Sequence, residues 1–418
     1  MDIKAPVAER SGVRLFFSSS ILLFVIAHFT HHLINALHTP LLPFIRDDLG
    51  LNYTQAGFVI SAFSLSYGLA SLPSGWLTDH IGPRIMITIS IIGVAVAGVL
   101  VGLSSNYVLL LLGLILMGIV GGGYHPSAPP LVMAATEPRN RSKALGFHMI
   151  GGSFSHFVAP VLGGAIAVAW GWRYAYFSLA VPMVIFGIIF FIILGRINAA
   201  NGVTGASHRR EAKPNETVDP SIGIRRIIGF ITFSTIIHAL STTVVSFLTV
   251  YLVDRFGVDK LTAAELLSLI YLAGVWASPL GGYLADRFGQ LQVILLVSLF
   301  SGPIVYLLNL APYGNALFAL LLLLGMVGPM RNPVSEGYIA SNTPSKRRST
   351  ILGFYYFGNM ESGALLTPVV GYLLDHAPDG YAKFPFAFTI VAICMMVASV
   401  TFLIFFWGKR ERKTAKVA

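Results

Sequence analysis

Four polar side chains recur along one face of the first long apolar segment of the chain. His28, His31, His32 and Asn35 are separated by three, one and three residues, and on a helix these positions share one face. Histidine changes its charge near neutral pH, so such a stripe can carry a proton or bind an anionic group. A lone membrane histidine more often hydrogen-bonds between helices, but a four-residue polar stripe favours the lining of a cavity.

The same stripe offers ligands for a transition metal or a metal chelate, because imidazole is the commonest metal ligand. Two histidines four residues apart supply at most half a site, and neither a cysteine nor a carboxylate completes one on this segment. Metal binding is therefore the second interpretation. We expect no metal site and no cofactor.

Ionisable residues also fall within later apolar segments, where they are expensive and usually functional. Glu361 lies near the middle of the eleventh segment, and Arg331 and Glu336 lie in the tenth. A buried carboxylate that takes up and releases a proton is what proton-driven antiport requires, so we expect Glu361 and Arg331 to contact the substrate or the proton. The structural alternative is an ion pair between Arg331 and Glu336 or Glu361. His125 and His238, in the fourth and seventh segments, are further candidates.

The composition places these residues in a membrane protein. Apolar residues make up 55% of the 418 residues and charged residues 11%, whereas soluble domains carry about 25% charged residues. A helix needs roughly 20 apolar residues to span a bilayer. The sequence predicts twelve such helices, at 15–40, 54–77, 85–104, 107–134, 144–169, 174–195, 227–252, 262–283, 292–311, 315–340, 350–374 and 385–407.

The two halves of the chain repeat each other at a constant offset of 207 residues. The turn that contains Gly75, Asp79 and Gly82 returns with Gly282, Asp286 and Gly289. Such matches favour glycines and loop charges, which determine backbone shape, so we expect two structural repeats of six helices. Their predicted bounds are an N-terminal bundle at 1–195, a cytoplasmic linker at 196–226 and a C-terminal bundle with a basic tail at 227–418. Other pairs at this offset are Asp47 and Asp254, Gly50 and Gly257, His31 and His238, Gly118 and Gly325, Gly151 and Gly358, and Gly164 and Gly371.

The lysines and arginines predict the orientation of the chain. If the N-terminus is cytoplasmic, 22 of the 28 basic residues fall on the cytoplasmic side and five on the other. An excess of Lys and Arg marks the cytoplasmic loops of membrane proteins, so both termini are predicted to be cytoplasmic. The net charge of +10 is then a topology signal, and we expect no nucleic-acid partner.

Twelve spans, a doubled six-helix pattern, a basic central linker and the turn at 75–84 together resemble the major facilitator superfamily of secondary transporters. The resemblance covers essentially the whole chain and implies an all-α fold with alternating access by rocking of the two halves. In this superfamily helices 1, 4, 7 and 10 line the cavity. The resemblance therefore places the His28–Asn35 stripe, His125, His238 and Arg331 there.

The turn itself resembles the superfamily pattern Gly-x-Leu-x-Asp-Arg-x-Gly-Arg-Arg. Gly75, Leu77, Asp79, Gly82 and Arg84 match it, while His80 and Pro83 depart from it; the second copy keeps Asp286 and Arg287. From the residues alone, we expect the glycines to tighten the turn and let helices approach, and Asp79 to cap the following helix. From the resemblance, the turn is a cytoplasmic latch between the halves.

A narrower resemblance is to the fosmidomycin-resistance-type drug exporters. It rests on His32-Leu33-Ile34-Asn35 in helix 1 and on Tyr124-His125-Pro126 in helix 4. Ala159-Pro160-Val161-Leu162-Gly163-Gly164 is also similar to the Gly-Pro-x-x-Gly-Gly motif of exporters, with a departure at Ala159. Pro160, Gly163 and Gly164 are therefore predicted gating residues.

These features predict a secondary active transporter of the inner or plasma membrane, and the hypothesis we favour is a proton-coupled exporter of a drug or small organic anion. The alternative is an inward permease for a metabolite, a metal ion or a metal chelate. A third hypothesis, a sensor that binds without translocating, would need an added signalling domain. The enzyme motifs Gly-x-Ser-x-Gly and His-Glu-x-x-His and the ATP-binding Gly-x-x-x-x-Gly-Lys do not occur, so we expect no enzyme.

Overall fold

The computed structural model describes residues 19–137, 141–200, 223–343, 345–380 and 382–406. Within these ranges the chain forms fifteen α-helices and no strand. The first repeat contains α1 Ser19–Asn35, α2 Leu42–Leu49, α3 Tyr53–Ile81, α4 Pro83–Gly102, α5 Tyr107–Gly121, α6 Tyr124–Ala134, α7 Arg141–Trp170 and α8 Trp172–Ala200. The second contains α9 Ile224–Ser246, α10 Leu248–Phe256, α11 Lys260–Phe288, α12 Gln290–Leu308, α13 Asn315–Ser341, α14 Ser345–Asp375 and α15 Lys383–Phe406.

Ten helical segments of the described chain are long and apolar enough to cross a membrane. The two other predicted spans fall on α1, which is apolar but only 17 residues long, and on α14, which carries polar residues such as Asn359 and Thr367. Large apolar side chains also face outward. On α8, Val181, Ile185 and Ile188 are each at least half exposed and lie on one face, as lipid contact requires.

Several predicted spans differ from the helices that form. The first ends at Asn35, and α2 begins only at Leu42. The fourth is interrupted after Gly121, within a run of three glycines, and α6 begins at Tyr124.

Two prolines, Pro329 and Pro333, fall inside the helix of the tenth predicted span. Helix α13 continues through both prolines. A proline leaves a carbonyl of the preceding turn without its usual donor, and neighbouring helices can supply polar partners in a membrane bundle. Here the Ser278 hydroxyl of α11 donates to the Pro329 carbonyl at 3.0 Å.

The chain divides into two compact units. Unit 1 contains Met1–Leu51, Phe58–Ala212 and Val258–Ser268, and unit 2 contains Asn52–Gly57, Lys213–Gly257 and Leu269–Ala418. Each unit therefore includes the first residues of a long helix that belongs mainly to the other repeat. Most of the predicted linker and the basic tail lie outside the described residues.

Helices at equivalent places in the two repeats pack in the same pairs. In unit 1, α1 packs on α7, and α4 packs on α5 and α8. In unit 2, α9 packs on α14, and α12 packs on α13 and α15. The predicted repeat is thus visible in the packing as well as in the sequence.

Backbone geometry at paired glycines shows the same repeat. Gly82 and Gly289 precede α4 and α12 with φ of 86° and 99°, and Gly50 and Gly257 end α2 and α10 with φ of 63° and 66°. Side chains rarely tolerate positive φ, so these turns require glycine. The offset of 207 residues thus preserves the shape of the chain at its sharpest turns.

Candidate functional site

The α1 stripe predicted from the sequence lies inside unit 1. His28, His31 and Asn35 are almost fully buried, and His32 is half-buried. The ring centroids of His32 lie 4.8 Å from His28 and 5.0 Å from His31. The predicted helix face therefore forms one contiguous group of imidazoles.

Helix α6 adds two more rings to this group. Because the glycine break restarts the helix at Tyr124, the Tyr124 ring stacks on His31 with centroids 4.3 Å apart. His125, the next residue, lies 5.4 Å from His28 and 5.3 Å from His32. The structure thus brings His125 together with the α1 stripe.

Helix α7 supplies His148, which the sequence analysis did not select. The His28 ring stacks on His148 at 4.3 Å, and His28 Nδ1 donates to the His148 carbonyl at 2.8 Å. His148 Nδ1 in turn donates to the Phe24 carbonyl at 3.1 Å. The signal that could have identified this residue is its spacing from His156, eight residues later on one face of α7.

Two adjacent glycines allow α1 and α7 to approach this closely. A Cβ atom at Gly151 would lie 2.1 Å from the Val25 carbonyl oxygen, and one at Gly152 would lie 2.6 Å from His28 Cε1. Both distances are far inside van der Waals contact. The pair of glycines thus makes room for the buried His28 ring.

Asn35 fixes the hydrogen bonding of His31. The amide Nδ2 of Asn35 lies 3.2 Å from His31 Nε2, and the Tyr67 hydroxyl lies 3.5 Å from the same nitrogen. Since an amide nitrogen only donates, His31 Nε2 accepts, and Nδ1 carries the proton of the neutral ring. Asn35 therefore orients a histidine instead of extending the group of rings.

Arg331 lies in unit 2 and is only 1% exposed. Its Nη2 donates to the Ser234 carbonyl of α9 at 3.1 Å, whereas Nε and Nη1 have no hydrogen-bond partner among the described residues. Arg331 also lies near enough to half-buried His238 for their charges to interact. The ion pair with Glu336 does not form within the described part of the chain.

Glu361 lies near the centre of α14, as the predicted span required. Its side chain is outside the described residues. Its predicted role in coupling, and its pairing with Arg331, therefore remain predictions.

The two turns that repeat at the offset of 207 residues, at 75–84 and 282–290, differ in structure from what the sequence predicted. Asp79 and the pair Asp286-Arg287 lie in the last turns of α3 and α11, so Asp79 does not cap the next helix. Helix α3 instead continues to Ile81, and Gly82 occupies the N-cap position of α4 with no side-chain cap. Around Gly75 and Gly82 a Cβ atom would have nothing within 4 Å among the described residues, so the expectation that these glycines permit close helix approach was wrong.

Arg84 holds two helices of unit 1 together. Its Nε and Nη2 donate to the Phe191 carbonyl at 3.1 and 2.9 Å, and its guanidinium lies 3.9 Å from the centroid of the Phe191 ring. The side chain thus anchors α4 to α8.

The predicted exporter element lies in α7, and Pro160 falls inside that helix without ending it. A Cβ atom at Gly163 would lie 2.6 Å from Leu37 Cδ2, and one at Gly164 would lie 3.1 Å from Ala264 Cβ. Both glycines therefore stand where unit 1 is closely packed.

Comparison with known proteins agrees with this architecture. The sequence matches the Major Facilitator Superfamily over residues 24–229 and 231–418. It is 28% identical over 288 residues to a probable sulfoacetate transporter of Cupriavidus necator. The aligned region covers 65% of this chain and 66% of that protein, which is just under two thirds of its length. It is also 27% identical over 323 residues to the multidrug resistance protein MdtG of Proteus mirabilis, which covers 74% of this chain and 78% of the relative.

The fold is that of solved transporters as well. The crystal structure of the nucleoside transporter NupG superposes with a TM-score of 0.75 at 13% identity, and covers 93% of this chain and 100% of that one. The helical packing and the sequence match together support an integral membrane protein with the twelve-helix fold. The chain belongs to the major facilitator superfamily and is a membrane transporter.

Proposed function

We propose that this transporter moves a small organic anion and that Arg331 binds the acidic group. The observation that carries the proposal is the buried guanidinium, whose Nε and Nη1 donors have no hydrogen-bond partner among the side chains that the structure describes. A buried, unpaired charge costs several kcal/mol, so such a group persists where a ligand pairs with it. The planar guanidinium matches a carboxylate, sulfonate or phosphonate in a two-point hydrogen bond.

The similarity to a probable sulfoacetate transporter supports an anionic substrate, because that compound carries two acidic groups. The similarity to a multidrug resistance protein and the Pro160–Gly164 element support export. We therefore propose export across the inner or plasma membrane, with both termini cytoplasmic. The small solute, protons and the surrounding lipid bilayer are then the partners of the chain.

Protons are the proposed coupling ion, and Glu361 is the proposed coupling group. The support is its place at the centre of α14, where a carboxylate lies far from either end of the helix. His238, which lies near Arg331, is proposed to contact the same solute.

The gating proposals concern residues at helix ends and close contacts. Asp79 and Asp286 end α3 and α11 at matching positions of the two repeats, which supports a paired latch. Arg84 and Arg287 supply basic groups at the same turns. Pro160, Gly163 and Gly164 are proposed to set how α7 moves.

The test uses proteoliposomes that enclose a pH-sensitive dye and carry an imposed proton gradient. Sulfonates, phosphonates, carboxylates and lipophilic cations are added one class at a time. We expect an anion to trigger proton movement in the wild type, and Glu361→Gln to abolish that movement. An Asp254→Asn variant, altered at the end of α10, is the matched control and should behave like the wild type.

Four results would contradict parts of the proposal. Proton movement triggered only by lipophilic cations would overturn the anionic substrate. Solute flux with no proton movement would overturn the coupling, and an unchanged response in Glu361→Gln would overturn the role of that carboxylate. Accumulation of the solute inside the vesicles when the outside is acidic would indicate proton symport, and so an inward permease instead of an exporter.

A further inference from the structure

We propose that unit 1 binds a divalent transition-metal ion between His28, His32 and His125. One ligand nitrogen from each of these residues lies within 4.8 Å of the others. His28 and His32 are four residues apart on α1, and His125 comes from the start of α6. Imidazole nitrogens are suitable ligands for Zn²⁺, Ni²⁺, Co²⁺ and Cu²⁺.

The hydrogen bonding of His28 prepares it for coordination. Because Nδ1 donates to the His148 carbonyl, the lone pair of the neutral ring is on Nε2. That nitrogen is buried and has no hydrogen-bond partner among the described residues. Histidines that bind metal usually donate their second nitrogen to a carbonyl or carboxylate in this way, and a buried acceptor with no donor is otherwise unfavourable.

The surrounding rings hold His28 while leaving the other two ligands adjustable. His28 is stacked against both His148 and Tyr124, at 4.3 and 5.3 Å, and Gly152 leaves space beside it. His32 and His125 are half-buried. Zinc–nitrogen bonds of about 2.0–2.1 Å place tetrahedral ligand nitrogens about 3.3 Å apart, so binding requires small side-chain rotations of these two rings.

The third ligand explains why spacing along the sequence predicted no metal site. The pair on α1 is only half a site, and the missing histidine lies about 90 residues later, brought in by the glycine break before α6. Three protein ligands leave at least one coordination position open, as in catalytic zinc sites. Water or an acidic group of a small molecule can occupy it.

This metal site is independent of the proposed anion transport, and its metal binding can be measured without any transport assay. The purified full-length protein, with any affinity tag removed, is depleted of metal and titrated with Zn²⁺ in a calorimeter. We expect one ion per chain. Co²⁺ in its place should give the intense visible absorption of four-coordinate cobalt.

Substitution of the ligands provides the decisive comparison. His28→Ala and His125→Ala should each weaken Zn²⁺ binding by at least about 100-fold and remove the cobalt bands. His376→Ala, which removes an exposed histidine at the end of α14, should bind like the wild type. Wild-type protein that binds no ion, or variants that bind as tightly as the wild type, would overturn the proposal.

A second readout covers the case in which a ligand variant fails to fold. Saturating Zn²⁺ should raise the Tm of the wild-type protein, because a ligand that binds only the folded state stabilises it. The conservative variant His32→Asn should show a smaller rise. A wild-type Tm that does not change with Zn²⁺ would contradict the site, whatever the variants do.

Discussion

The place that Tyr124 holds in the first repeat is held by Arg331 in the second, 207 residues later. Tyr124 stacks on His31, while Arg331 lies near His238, the counterpart of His31. A neutral aromatic side chain and a permanent cation thus occupy equivalent positions in the two repeats. The duplicated scaffold has kept its geometry while its chemistry has diverged.

The residues around this position diverge in the same sense. The first repeat surrounds it with histidines, and the second replaces them with hydroxyl, methyl and amide groups. The pairs are His28 and Thr235, His32 and Ala239, His125 and Asn332, and His148 and Tyr355. The two proposals therefore place metal binding in unit 1 and anion binding in unit 2, since imidazoles attract metal ions and the guanidinium attracts acids.

The largest expected difference between the repeats concerns a pair of glycines. At Gly151 a Cβ atom would meet the Val25 backbone oxygen at 2.1 Å, whereas at Gly358 the nearest atom is the Thr235 hydroxyl at 2.8 Å. The Val25 backbone oxygen cannot move away from an added methyl group, whereas the Thr235 side chain can rotate away from one. Gly151→Ala should therefore destabilise the protein by about 3 kcal/mol and Gly358→Ala by about 1 kcal/mol or less.

Thermal unfolding in detergent measures both substitutions under the same conditions. Far-ultraviolet circular dichroism at low temperature shows whether each variant is folded. Equal losses of Tm in the two variants would contradict the difference in α1–α7 and α9–α14 packing.

Substitution of the equivalent residues Tyr124 and Arg331 gives the next largest expected difference in stability. Arg331→Met removes a buried charge whose Nε and Nη1 have no hydrogen-bond partner in the described part of the chain, so it should stabilise the protein by about 1 kcal/mol even though it removes the proposed anion site. Tyr124→Phe should change stability by less than about 0.5 kcal/mol, because the Tyr124 hydroxyl has no partner among the described residues. Both are measured as shifts in Tm without ligand. A loss of stability in Arg331→Met would indicate that this side chain is a structural anchor.

The smallest effect compares two helix caps at the same offset. Asn52 accepts from the Gln55 N–H at 2.8 Å before α3, and Asp259 accepts from the Thr262 hydroxyl and N–H at 2.6 and 2.9 Å before α11. Removing either cap by substitution with Ala should cost about 1 kcal/mol at neutral pH. Only the Asp259 cap should depend on pH.

The direction in which the Asp259 cap depends on pH follows from the direction in which folding shifts the pKa of Asp259. The hydrogen bonds from the Thr262 side chain and backbone lower the pKa of Asp259 below its usual value. A lowered pKa in the folded state stabilises the fold above the unfolded value of about 3.9, and this contribution is lost as the pH falls through the folded value. The Tm difference between the wild type and Asp259→Asn should therefore shrink between pH 5 and pH 3. A difference that stays constant over this range would contradict the carboxylate cap.

Much of the fold was predictable because glycines and hydrophobic runs encode backbone shape locally. The twelve apolar segments followed from composition and length, and the offset of 207 residues paired Gly82 with Gly289, which both have positive φ. The polar face of α1 followed from helical spacing alone. These signals need no knowledge of how helices pack.

Features that depend on packing between helices were not predictable from one sequence. Nothing in the spacing of His28 and His32 shows that His125 meets them, because that contact depends on the restart of α6. The Pro329 carbonyl, which Pro333 leaves without its helical donor, accepts instead from the Ser278 hydroxyl of α11. His148 was missed for the same reason, since its role appears only when α7 packs on α1.

The most direct test of the proposed anion site is counterflow, in proteoliposomes, of whichever labelled organic anion triggers proton movement in the solute screen, because counterflow reports substrate binding and exchange without a proton gradient. Hydrogen bonds to charged groups contribute about 1.5–3 kcal/mol, so Arg331→Gln should slow counterflow at least about 10-fold. Arg331→Lys should retain part of the rate, because it keeps the charge. Arg255→Gln, an arginine at the end of α10 in the same unit, is the control and should match the wild type. Counterflow at the wild-type rate in Arg331→Gln would contradict the assignment of anion binding to unit 2.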